Sequence, residues 1–319
     1  MNTSTNIDKT PVNKNATEPA RKLLAYLADT AGNGILTGQH TQTIPMEEYQ
    51  LIHDKTGCYP KVVGFEMLSY SPNINYDDAS EECLTEVYEN RNTLEKAMEI
   101  AETTDSILCF CFHWFSPIGG RDKAFYSKHT DFDARKVLEE GSAERKAFYS
   151  DLEKIAKDLE PFKEKNIPIL WRPFHEVEGT WFWWGAQGGV VAKEMYKLMY
   201  DLFVNEYHLD NLLWVWSSPT KESYPGDEFV DVIGWDIYLP EKDYTDYADK
   251  YNELIANTTT RKVPAITEVG YIPDIEKLAE SRIPWAYFMT WSKEFCLKEE
   301  FNTFEDLKKA YANEYSIKN

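Results

Sequence analysis

Eight short apolar runs, all but the fifth closing on polar residues and followed by a stretch with helical spacing, limit what this chain can fold into more than any other feature. The runs are residues 34–40, 61–66, 106–113, 167–172, 212–216, 230–236, 263–268 and 285–291. Helical spacing follows over 46–55, 81–103, 143–165, 191–207, 244–256, 275–280 and 304–311, with one more such stretch, 18–31, ahead of the first run. Strands that are apolar nearly throughout are buried on both faces, as in a parallel sheet covered by helices. About eight β/α units in 319 residues predict a single (β/α)8 TIM barrel over 18–319, with residues 1–17 as a disordered leader. A doubly wound sheet is the competing arrangement. It would usually place a glycine-rich turn after the first strand, whereas Gly32-Asn33-Gly34 precedes it.

Charge and cysteine usage narrow the function classes. Lys plus Arg total 34 against 54 for Asp plus Glu, a net charge of -20, which disfavours a nucleic acid or an anionic membrane as partner. The five cysteines are odd in number and lack zinc-type spacing; Cys109 and Cys111 share one face of a strand and read as small buried hydrophobes. No disulfide framework, metal or cofactor is expected. Residues 1–17 lack the apolar core of a signal peptide, and no stretch is long enough to span a membrane. The expectation is a soluble monomer, cytoplasmic as the chain stands or secreted where a signal has been removed.

The polar residues fall at the strand ends, where a barrel of this kind builds its active site. Those ends carry Gln39 and His40, Glu66, His113, Arg172 with His175 and Glu176, Asp236 with Tyr238, Glu268, and Trp291. After the fourth strand, Glu176 runs directly into Trp181, Phe182, Trp183 and Trp184. Charged groups beside flat apolar surface suit a sugar, whose rim hydroxyls bond to polar groups and whose C–H faces lie on indole. Glu176 and Glu268, after the fourth and seventh strands, face each other across the mouth, and two such carboxyl groups are the minimum equipment for glycoside hydrolysis. His40, Glu66 and Asp236 read more readily as structural, through a backbone bond, a pairing with Arg172 and the positioning of a loop. Two other readings stand beside this one. A metal-dependent barrel hydrolase would use His40, His113, His175, Asp236 and Glu268, but HxH and HExxH spacings are missing. A non-catalytic sugar-binding barrel would explain the tryptophans but not both glutamates.

The segment Arg172-Pro-Phe-His-Glu-Val-Glu-Gly-Thr-Trp-Phe-Trp-Trp-Gly185 resembles the signature of the glycoside hydrolase family 26 β-mannanases, within the clan of (β/α)8 retaining glycosidases. The resemblance continues through Thr37-Gly-Gln-His40, Phe112-His-Trp114, the 125–133 segment, Asn211-Leu-Leu-Trp-Val-Trp216, the 231–238 segment, Thr267-Glu-Val-Gly270 and Thr290-Trp-Ser292. It implies an endo-β-1,4-mannanase acting on mannan, glucomannan or galactomannan, with Glu176 as acid/base and Glu268 as nucleophile. His175 would orient the nucleophile or the sugar, and Arg172 would hold the carboxylates. His113, Tyr238 and Trp291 would line the sugar site on the non-reducing side, Trp291 as its floor, with Trp181 on the leaving-group side. Trp114, Phe125 and Tyr126 would extend the cleft, and Phe182, Trp183 and Trp184 would serve as core or loop support. A retaining mechanism implies carboxyl groups about 5 to 5.5 Å apart. Glu178 stands where the family commonly has Asn or a small polar residue, and Trp235 where many members have an acid. Both bear on substrate preference, since the family includes mixed-linkage β-glucanases and β-1,3-xylanases.

Overall fold

All eight apolar runs are strands in the computed structural model, which describes residues 6–42, 44, 46–118 and 124–319. In chain order the elements are α1 (Glu18–Thr30), β1 (Ile35–Leu36), β2 (Gly38–Thr41), α2 (Glu47–Thr56), β3 (Val62–Glu66), α3 (Glu81–Glu89), α4 (Thr93–Thr103), β4 (Ile107–Cys111), α5 (Ala143–Glu164), β5 (Ile169–Arg172), α6 (Gly189–Asp201), β6 (Leu212–Ser217), β7 (Val232–Ile237), α7 (Ala248–Ile255), β8 (Val263–Val269), α8 (Ile275–Ser281), β9 (Phe288–Thr290), α9 (Glu294–Leu297), α10 (Phe304–Ala312) and β10 (Ser316–Ile317). Strands β2 to β9 pair in parallel in sequence order, and the ring closes where Gln39 of β2 lies opposite Thr290 of β9. This is the (β/α)8 TIM barrel that the alternation predicts. Gly38 is required at the closure: a Cβ there would lie 2.3 Å from the Phe288 carbonyl oxygen of β9. The first apolar run is divided, because β1 leaves the barrel to pair with β10 near the carboxyl terminus.

Two apolar layers form. Leu36, Val62, Cys109, Leu170, Leu213, Val232, Ala265 and Met289 pack together with Leu23, Leu24 and Leu27 of α1, whose apolar residues recur at helical spacing, so α1 plugs the amino-terminal end of the barrel. A larger layer lies between the strands' outer faces and the surrounding helices, with Phe110 against Phe162 and Trp171 against Phe203.

Three expectations are corrected. The leader is ordered from residue 6: Asp8 N–H donates to the Arg261 carbonyl, Val12 N–H to Asp231 Oδ1 at 2.8 Å and Asn13 Nδ2 to Asp210 Oδ1 at 2.8 Å, while Ile7 joins the α1 cluster. Residues 1–5 lie outside the described set. The 81–103 helix is two helices, α3 and α4, separated where Asn92 takes a left-handed conformation with φ 58° that a continuing α-helix excludes. Trp235 faces the outside, with Lys250 of α7 5.2 Å from its ring centroid, and so does not shape the cleft. No helix among the described residues is long and apolar enough to cross a membrane.

Candidate active site

The carboxyl ends of the strands surround an open cleft of about 280 Å³ lined by Glu86, His113, Phe125, Tyr126, His175, Glu176, Trp181, Phe182, Tyr238, Glu268, Trp291 and Phe295. Beneath this cleft lies Arg172 at the end of β5, which is 0% exposed. Arg172 Nη1 donates to Asp236 Oδ2 at 2.8 Å, and Nη2 donates to Glu268 Oε2 at 2.5 Å. Asp236 also accepts on Oδ1 from Ser217 at 2.7 Å and Thr267 at 2.8 Å. It therefore anchors the guanidinium and leaves one arm for Glu268. The other oxygen of Glu268 accepts from the Tyr238 hydroxyl, and the Tyr238 ring stays exposed along the cleft. Burial pushes the Glu268 carboxyl up from its ordinary value, with Arg172 and Tyr238 pulling the other way.

Glu176 reaches the same cleft from a strained loop. Phe174 and Glu176 have φ of 52° and 55°, a conformation that costs a non-glycine residue on the order of 1–3 kcal/mol and that clusters at functional sites. The loop is held by Glu176 N–H donating to the Ser217 carbonyl at 3.1 Å and by Trp184 Nε1 donating to the His175 carbonyl at 2.8 Å. The carboxyl accepts from Trp181 Nε1 at 2.7 Å. Burial, followed by the charges of Glu268 and Asp236, pushes Glu176 up to about 8. The two glutamates thus differ in what touches them: a cation and a phenol on Glu268, an indole on Glu176.

The histidines form a layer behind the carboxylates. Glu66 pairs with His113, whose Nδ1 lies 2.7 Å from Oε2, and not with Arg172 as the sequence suggested. His113 Nε2 meets His175 Nε2 at 3.2 Å, and His40 stacks on Trp291 with centroids 4.1 Å apart. His40, Glu66 and Cys111 bring three ligand-type atoms within 4.8 Å of one another, all of them already engaged in hydrogen bonds. The metal-hydrolase set does not assemble, because the Arg172 guanidinium holds Asp236 and Glu268 and the histidines turn onto each other, Cys111 and Glu66.

Most of the predicted substrate contacts reach the cleft, with two exceptions: Arg172, expected among them, is buried beneath the cleft and meets its carboxylates instead, and Trp114 is buried as well. Trp114 is 1% exposed, stacks on Phe112 and donates its Nε1 to Asp151 Oδ2 at 3.0 Å, so it is packing under the cleft and not part of its surface. Trp183 and Trp184 are buried as support, while Phe182, expected in the same role, also lines the cleft. Trp181 is 47% exposed. Glu178 is exposed and hydrogen-bonded to Ser218. Sequence reasoning missed Glu86 of α3, whose carboxyl lies 3.8 Å from Lys293, and Phe295 of α9. Neither follows a strand directly, which was the only positional signal available.

The sequence model of Glycosyl hydrolase family 26 matches residues 12–319. The chain belongs to this family. Among its relatives, a mannan endo-1,4-β-mannosidase of Thermothelomyces thermophilus is 33% identical across 98% of this chain, and mannan endo-1,4-β-mannosidase A of Piromyces sp is 31% identical across 99%. The chain spans 63% and 51% of the length of these two relatives. Among solved structures, a β-mannanase from a symbiotic protist of the termite Reticulitermes speratus, complexed with gluco-manno-oligosaccharide, superposes with a TM-score of 0.85 at 31% identity, covering 98% of this chain and 97% of that one.

Proposed function

We propose that this family 26 chain is an endo-acting β-1,4-mannanase that cleaves by double displacement with retention. The observation that carries the reading is the unequal environment of two carboxyl groups in one cleft: Glu268 sits on Arg172, whereas among the described residues Glu176 accepts from the Trp181 indole and has no Lys or Arg paired with it. A carboxylate beside a guanidinium is favoured as the anion, whereas a buried carboxyl beside another carboxylate keeps its proton. Glu176 then gives its proton to the glycosidic oxygen while Glu268 attacks the anomeric carbon and forms a glycosyl ester. Esterification removes the Glu268 charge, and Asp236 continues to balance Arg172 through its own ion pair. With its neighbour neutral, Glu176 ionises more readily and serves as base for the incoming water.

Mannan is the substrate of choice because the relatives named above are mannanases and because the cleft joins those carboxyl groups to aromatic faces. Trp291, Tyr238 and His113 line the non-reducing side of the bond, His175 bonds the sugar at the cleavage point, and the exposed Trp181 carries the leaving-group sugar. Phe125 and Tyr126 lengthen the cleft. Residues 18–319 make up the catalytic domain, with the 6–17 segment closing its base.

Digestion of glucomannan, galactomannan, plain mannan, mixed-linkage glucan and β-1,3-xylan, with product lengths followed over time, tests the reading. A spread of manno-oligomers from the outset is expected. Preference for mixed-linkage glucan or β-1,3-xylan overturns the substrate assignment, and one short product from the first time point overturns endo action.

A further inference from the structure

Three donors converge on Glu66. The His113 backbone N–H donates to Oε1 at 2.8 Å, and His113 Nδ1 and the Cys111 thiol reach Oε2 at 2.7 and 2.9 Å. A carboxyl that is 0% exposed and accepts from the His113 backbone N–H and the Cys111 thiol is satisfied as the carboxylate, and an acceptor-only oxygen 2.7 Å from His113 Nδ1 requires a proton on that nitrogen. The other ring nitrogen of His113 faces Nε2 of His175 at 3.2 Å. Two imidazole nitrogens in that contact share one proton. If it belongs to His113, that ring is an imidazolium, His175 offers a lone pair on Nε2, and neutral His175 must carry its own proton on Nδ1. If it belongs to His175, Nδ1 is bare. The choice decides whether the buried Nδ1 of His175, which has no partner among the described residues, is a donor or an acceptor beneath the cleft that the ring lines.

The charges around the pair select the first arrangement. Burial pulls the His113 imidazole down, but Glu66 of β3, Glu86 of α3 and Glu268 of β8 face it and leave it above its ordinary value. His175 faces Arg172, His113 and His40, and burial together with these groups holds it well below its ordinary value, as a neutral ring. We propose that Glu66, acting through His113, holds the cleft-lining His175 in the tautomer with its proton on Nδ1. Glu66 and Cys111 are then positioning residues. The tautomer does not depend on the glycosidase reading above.

The test is long-range proton–nitrogen NMR of the imidazole rings in the whole chain at about pH 6, where an unperturbed histidine is partly charged. The expected pattern has both His113 nitrogens protonated, His175 Nδ1 protonated and His175 Nε2 bare. A proton on His175 Nε2 with His113 Nε2 bare overturns the proposal. Glu66→Gln removes the carboxylate, lowers His113 by about 1–3 pH units, and at the same pH should move the His175 proton from Nδ1 to Nε2. Cys111→Ser keeps a donor on Glu66 and should leave both rings as they are; an equal flip there would assign the effect to packing and overturn the role of Glu66. If Glu66→Gln does not fold, titration of the native chain decides. His175 should lose its Nδ1 proton in step with the His113 titration while remaining neutral, and independent behaviour of the two rings rejects the coupling. Failure to cut mannan with this proton pattern intact would reject the activity reading alone.

Discussion

At Glu176 the proton is retained by burial and by the charges of Glu268 and Asp236, and among its neighbours the Trp181 indole favours the ionised form. In the proposed role as acid Glu176 must be protonated to work, so kcat/KM should fall as pH rises through about 8. Trp181→Phe deletes the hydrogen bond to the anion while keeping an aromatic face, and should move that alkaline limb up by about one unit, the worth of one such bond. A limb that stays in place or moves down would remove Trp181 from the control of Glu176. The same group links pH to stability. In the folded chain it holds its proton up to about 8, and in the unfolded chain it releases it near 4.5, so over that window the unfolded state binds fewer protons and stability declines as pH rises. Glu176→Gln should therefore be more stable than the native chain at alkaline pH, by on the order of a few kcal/mol, as measured by urea unfolding at matched pH values. Glu176→Ala should retain turnover of aryl glycosides with good leaving groups, and azide should restore the second step as a glycosyl azide. Absence of both would take the acid/base role away from this residue.

Among the elements, α1 shows how far periodicity can be trusted. Its Leu23, Leu24 and Leu27 were readable as one helix face, and Thr17 caps its first turn through a hydrogen bond to Ala20 N–H. What that face packs against was not readable, because a barrel's amino-terminal opening appears only once eight strands have closed. Leu27 is 0% exposed among the barrel's lower residues, and Leu27→Ala should cost about 2–5 kcal/mol, measured by chemical denaturation, with a smaller effect on KM than on stability since the cleft is at the opposite end. A cost below about 1 kcal/mol would mean that α1 is not a plug. Strand ends were legible for a similar reason: Arg172, Asp236 and Glu268 each follow a continuous apolar run, and that order alone brought them together. The break at Asn92 and the burial of Trp114 were not, since one depends on a single residue's left-handed backbone and the other on Asp151 arriving from α5 to bond the indole. Glu86 was hidden because α3 carries it to the cleft edge through tertiary packing, leaving no local mark.

For the whole molecule the decisive relation is that β5 and β8, the fourth and seventh strands of the ring, bring Glu176 and Glu268 to one mouth while Arg172 reaches across from β5 to Asp236 on β7 and to Glu268. An inverting enzyme needs its second carboxylate to activate water, and so leaves room for that water between carboxylate and sugar. Here Glu268 is pinned at both oxygens, by Arg172 and by Tyr238. A carboxylate fixed in this way is oriented as a nucleophile, and both of its bonds can persist while an oxygen lone pair turns to the anomeric carbon. The first product released should therefore keep the β configuration. Proton NMR of the fresh digest, read before mutarotation, distinguishes the outcomes: β first and α appearing later supports double displacement, whereas α first would mean that Glu268 activates water and that the assignment of the two glutamates has to be rebuilt.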